Sequence, residues 1–129
     1  MTAMLGQGCG MADSFPVVIH HNPNCGTSRN TLEMIRQSGR QPTVHEYLND
    51  GWTRPQLEAL LGKMGKTPRD ILRVRGTPAE ELGLTRDGVS DAEILDAMVA
   101  HPILVERPIV ETPKGARLCR PAETVSELL

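Results

Sequence analysis

The residues His21-Asn22-Pro23-Asn24-Cys25-Gly26-Thr27-Ser28-Arg29 gather a thiol, an imidazole, a hydroxyl and a guanidinium within nine positions. An apolar run precedes them and a helical pattern follows. Cys25 therefore falls where a strand hands over to a helix. Unpaired backbone N–H groups and the positive end of the helix dipole meet there, and both favour thiolate over thiol. Thiolate is the nucleophilic form. His21, four residues upstream, could lower the thiol pKa further as imidazolium, and Ser28 stands where a hydroxyl can donate to the sulfur. A cysteine buried only for packing rarely has histidine, serine and arginine beside it. Two familiar thiol chemistries fail on spacing. An internal dithiol would need a second cysteine at position 28, where Ser28 stands, and a Cys-x5-Arg phosphatase loop would need arginine at position 31, where Thr31 stands. What is left is one activated thiol that needs an external reductant for any redox turnover.

The elements that must position this thiol are readable from pattern. Residues 15–20 are apolar and rich in β-branched side chains, which predicts a strand ending in the Asn22-Pro23 turn. A helix is expected over 27–38, with Leu32 and Ile35 on one face and Gly39 as its stop. Alternation predicts a second strand over 43–48. Thr53, Thr67, Thr77 and Ser90 each precede Gln, Asp or Glu by three residues, the spacing at which side chains satisfy the first N–H groups of a helix. The middle is therefore expected to be helical. Leu57, Leu60, Leu61 and Met64 line one inward stripe and Ile94, Leu95, Met98 and Val99 another. Strands over 107–112 and 116–120 around Lys114-Gly115 read as a hairpin. A last helix is expected over 122–129, with Val125, Leu128 and Leu129 inward. The order β-α-β, helical insertion, β-β-α is that of an α/β thioredoxin-like fold with a mixed sheet.

Composition narrows the function classes. The chain has 129 residues, 14 Lys+Arg against 16 Asp+Glu and a formal charge of -2, so no strongly basic face awaits nucleic acid. Phe15, Tyr47 and Trp52 are its only aromatics, too few for a base-stacking platform. Cys9, Cys25 and Cys119 are odd in number and widely spaced, which is neither a disulfide framework nor a zinc site. No apolar run approaches the ~20 residues of a bilayer span. The first fourteen residues lack Lys, Arg and a sustained apolar stretch and do not read as a secretory signal. Residues 1–14 are expected to be a flexible extension, 15–129 a single domain, and the protein cytoplasmic with reduced thiols and no membrane or nucleic-acid partner. Cys119 reads as a packed core thiol.

The segment from His21 through Arg29 to Asn30-Thr31-Leu32-Glu33-Met34-Ile35 closely resembles the active-site segment of the glutaredoxin-coupled arsenate reductases. Three more stretches share the resemblance: Arg69-Asp70-Ile71-Leu72-Arg73, His101-Pro102-Ile103-Leu104-Val105-Glu106-Arg107-Pro108-Ile109-Val110, and Thr112-Pro113-Lys114-Gly115-Ala116-Arg117-Leu118-Cys119-Arg120-Pro121. The resemblance as a whole extends over about residues 17–129. The resemblance implies that Cys25 attacks arsenate, that Arg73, Arg107 and Arg120 hold the oxyanion, that His21 and Ser28 tune the thiolate, and that Pro108 is cis. Arg29 and Arg117 receive supporting or surface roles. It also implies a covalent cysteinyl arsenate, glutathione as co-substrate, glutaredoxin as partner, and no metal or bound cofactor. Planar, permanently charged guanidinium groups suit such a tetrahedral anion, which would otherwise repel a thiolate. Two other readings follow from the same likeness: a glutathione-dependent reductase of another substrate, and an Spx-like regulator that binds RNA polymerase without catalysis.

Overall fold

The computed structural model describes residues 15–129, so the expected extension over 1–14, with Cys9, lies outside the described residues. The described residues divide into two units, 15–45 with Arg107–Leu129, and Glu46–Glu106.

In the first unit, β-branched Val18 and Ile19 open strand β1 (Val18–His20), shorter than the expected 15–20. Helix α1 (Gly26–Gln37) follows, then strand β2 (Thr43–His45), which pairs parallel with β1. Strands β3 (Ile109–Thr112) and β4 (Gly115–Leu118) form the expected hairpin, and β3 lies antiparallel to β1. The sheet order β2-β1-β3-β4 is mixed, and with α1 it is the thioredoxin-like arrangement read from the sequence. Side chains alternate across the pleat. Val17, Ile19 and Val110 therefore share a core with Cys119, with Leu32 and Ile35 of α1, and with Val125 and Leu128. Leu129 is half-buried against that core. The last segment is a 3-10 helix over Ala122–Glu127 and not the expected α-helix. Eight residues are few to nucleate an α-helix alone, and the Thr112 hydroxyl holds this end by donating to the Leu128 carbonyl at 2.8 Å. The Arg107–Pro108 peptide is cis, as the resemblance implies, and so is Arg120–Pro121.

In the Glu46–Glu106 unit the expectation of a strand reaching residue 48 fails, because Tyr47–Asp50 is one helical turn, α2. Tyr47 is wholly buried, its hydroxyl donates to the Val105 carbonyl at 3.0 Å, and its ring lies 5.3 Å from that of Trp52. A helical turn lets the ring go inward; strand alternation was only a local preference. Helix α3 (Arg54–Met64) begins as the cap signal predicts. The Gln56 N–H donates to the Thr53 hydroxyl at 3.2 Å and the Thr53 N–H to the Gln56 side chain at 3.3 Å. It buries Leu57, Leu60 and Leu61, half-buries Met64, and ends at Gly65 in the left-handed conformation, φ 67°. Helix α4 (Asp91–Ala100) is capped in the same way by Ser90 and Glu93. It buries Ile94, Leu95 and Met98, but leaves Val99 37% exposed at the margin of the stripe. The Thr67 signal opens only a 3-10 turn, Pro68–Ile71. Thr77 opens no helix: Gly83, with φ 73°, interrupts the segment one turn in, and successive turns follow. Among the described residues no helix is long and apolar enough to cross a membrane.

Candidate active site

Cys25 is the N-cap of α1, with extended backbone (φ -102°, ψ 123°) that turns its chain into the helix. The approach is a tight Asx turn. The Asn22 side-chain oxygen accepts from the Asn24 N–H at 2.9 Å, and the Asn22 carbonyl accepts from the Cys25 N–H at 3.0 Å. This explains the Asn-Pro pair in the motif, since Asn closes such turns through its own side chain. His21 and Ser28 are both buried. His21 Nδ1 pairs with Ser28 Oγ at 2.6 Å, and the same oxygen accepts from the Asn22 N–H at 3.0 Å. The Ser28 hydroxyl is thus engaged by the loop. The sequence reading has that hydroxyl donate to sulfur; in the structure the Ser28 main-chain N–H at the third helical position acts on the thiolate instead. Nothing in a one-dimensional spacing distinguishes the two groups of one residue.

Arg120 places Nη1 3.6 Å from Cys25 Sγ and donates from the same nitrogen to the Arg107 carbonyl at 3.0 Å. The Arg107 guanidinium also acts on the sulfur, while its Nε and Nη1 are buried and make no hydrogen bond within the described structure. Buried donors without acceptors are costly, and here they belong to a guanidinium that acts on the Cys25 sulfur. Partial burial raises the Cys25 pKa. The Ser28 N–H and the two arginines outweigh that and bring the thiol down from 9.0 to about 7. Cys119 shows the opposite balance. It is fully buried in the core, and burial pushes its thiol up to about 12.

Arg73 belongs to the Glu46–Glu106 unit. There Nη1 pairs with Glu106 at 2.8 Å and Nε donates to the Arg75 carbonyl at 3.1 Å. Sequence reasoning did not single out Glu106 as its partner, although an acidic residue directly before Arg107 was the available signal. Exposed Arg29 braces the turn by donating to the Pro23 carbonyl at 2.9 Å, and Arg117 pairs with Glu127 at 3.3 Å on the surface. Among the described residues no group of three or more His, Cys, Asp or Glu is arranged to hold a metal ion.

Comparison with known proteins gives the arrangement a context. A family model described as the ArsC family matches residues 20–128. Over 113 residues the chain is 58% identical to Arsenate reductase ArsI2 of Synechocystis sp., spanning 88% of this chain and 81% of the relative. It is 54% identical to an arsenate reductase of Escherichia coli strain K12, with 88% and 80% covered. Among solved structures, the arsenate reductase from Vibrio cholerae superposes with a TM-score of 0.85 at 38% identity, covering 89% of this chain and 98% of that one.

Proposed function

The chain belongs to the ArsC family, and from that premise we propose that it is an arsenate reductase that draws electrons from glutathione through glutaredoxin. The observation that carries this reading is a sulfur with a pKa near 7 at a helix N-terminus, with the Arg120 guanidinium 3.6 Å away and Arg107 beside it. A thiolate at neutral pH and fixed positive donors are what nucleophilic attack on a tetrahedral oxyanion requires.

In the proposed sequence, arsenate rests on Arg107 and Arg120, with Arg73 added from the family resemblance. Cys25 thiolate displaces one oxygen, which leaves as water after protonation, and forms the cysteinyl arsenate. A glutathione thiolate then attacks this adduct. Arsenic falls from +5 to +3 and departs as arsenite, and its two electrons come from the Cys25 and glutathione sulfurs, which end as a mixed disulfide. Glutaredoxin removes the glutathione and restores the Cys25 thiol. His21 and Ser28 hold the loop and the helix N-terminus beneath the sulfur.

Phosphate and sulfate resemble arsenate to an arginine cluster, so the decisive test is the reaction itself. NADPH oxidation is followed through glutathione reductase, glutathione and glutaredoxin, with and without arsenate. Oxidation that requires both arsenate and this protein is the expected result. Thiol activity that ignores arsenate would move the protein to the reductases of other substrates.

A further inference from the structure

A second polar cluster lies beside the site, on the sheet itself. His20 on β1 is buried and faces its direct cross-strand partner, His45 on β2, with the two Nδ1 atoms 2.8 Å apart and the rings edge to face. Glu111 on β3, diagonal to His20, meets its Nε2 at 2.5 Å. A row of polar side chains across three adjacent strands replaces the apolar pairs that a buried sheet face ordinarily carries. The polar atoms meet in series, each contact within hydrogen-bond distance, so the cluster is a hydrogen-bonded chain. An ionised Glu111 only accepts, which puts the His20 proton on Nε2. In neutral His20, Nδ1 must then accept, so His45 donates from its own Nδ1.

The chain continues to the thiol. The His45 carbonyl accepts from the His21 N–H at 2.8 Å, His21 Nδ1 pairs with Ser28 Oγ at 2.6 Å, and the Ser28 N–H acts on Cys25. We propose that Glu111, His20 and His45 are positioning residues that hold His21, and through it Ser28 and the first turn of α1, in register beneath Cys25. β1 is only three residues long and β2 is an edge strand of three. Main-chain pairing of that length leaves the loop entrance weakly held, and a satisfied buried polar network fixes one geometry where apolar side chains would allow several. The consequence falls on the sulfur, because the Ser28 N–H stabilises its charged form only from the correct position.

The proposal rests on Cys25 being the reactive thiol, and it is tested without any oxyanion or glutathione, so a mistaken substrate would not affect the outcome. Iodoacetamide alkylation of Cys25, resolved from the other thiols by peptide mass spectrometry, is measured against pH. His45→Leu and Glu111→Leu are expected to raise the midpoint by ~0.5 pH unit, about a threefold loss of rate below it. His45→Asn offers an amide N–H near the lost Nδ1 and should restore the native midpoint. His20→Gln keeps an Nε2 donor for Glu111, but its carbonyl oxygen shares that terminal carbon and leaves no acceptor at the Nδ1 position that His45 meets, so it should shift the midpoint even if the leucine variants fail to fold. Nitrogen NMR of the unmodified protein should find His20 protonated on Nε2 and His45 on Nδ1. Folded variants with an unchanged midpoint, or a His20 proton on Nδ1 alone, would overturn the proposal.

Discussion

At the scale of single residues, two cysteines with opposite environments show what a sulfur needs in order to react. Cys25 has a helix N-terminus and two guanidinium groups and titrates near 7; Cys119 has an apolar core and is pushed up to about 12. Cys25→Ser is therefore expected to abolish arsenate-dependent NADPH oxidation, while Cys119→Ser and Cys9→Ser keep most of it. A dead Cys119→Ser variant that still folds would require an internal disulfide. The pH dependence has a definite sign. The thiol pKa is depressed, so reactivity is full above the midpoint near 7 and is lost as pH falls through it, to about one tenth of the plateau one unit below. Arg120→Ala removes a cation that stabilises the anion, so its alkylation midpoint must move up; a midpoint that stays or falls would show that Arg120 does not act on the sulfur. The proposed nucleophile Cys25 and its neighbours His21 and Ser28 were legible together in the motif itself. Which group of Ser28 serves the sulfur was not, because that depends on the direction of a bond.

At the scale of elements, legibility followed how local the deciding interaction is. Thr53 and Ser90 form caps with partners three residues away, and both helices start where the pattern says. Thr53→Ala and Ser90→Ala should each cost ~1 kcal/mol in urea unfolding, since each frees a helix N–H that its hydroxyl now accepts. Gly65→Ala should lose ~1–2 kcal/mol, because φ 67° crowds a Cβ against its own backbone. The same cap signature at Thr77 opens no helix, since Gly83 takes a left-handed conformation one turn later. Tyr47 was read as strand by alternation and became helix because its ring and hydroxyl are claimed by residues such as Val105, 58 positions away in the chain.

At the scale of the whole molecule, the groups proposed to bind the anion come from separate stretches of chain. Arg107 and Arg120 stand at the two ends of the β3–β4 hairpin, so pairing of those strands returns the chain to the Cys25 turn and brings Arg120 onto the Arg107 carbonyl. Arg107→Lys and Arg120→Lys keep the charge but lose the planar fork. Each is expected to lower kcat/KM for arsenate ten- to a hundredfold, ~1.5–3 kcal/mol on the scale of charged hydrogen bonds. Arg29→Lys, whose partner is only the Pro23 carbonyl, should be mild. Near-native rates in both of the first pair would leave the anion site without support. By itself the sequence determined the helix caps at Thr53 and Ser90, most of the two helical stripes behind them and the hairpin, because each depends on neighbours within about one turn or one strand pair. Only the tertiary structure decided which donors reach the sulfur, that Arg73 is held by Glu106, and that Glu111, His20 and His45 form one chain. The contacts of Arg120 with Cys25, Arg73 with Glu106, and His20 with His45 and Glu111 join residues 95, 33, 25 and 91 positions apart, and a separation of that kind acquires a distance only when strands pair and a core closes over them.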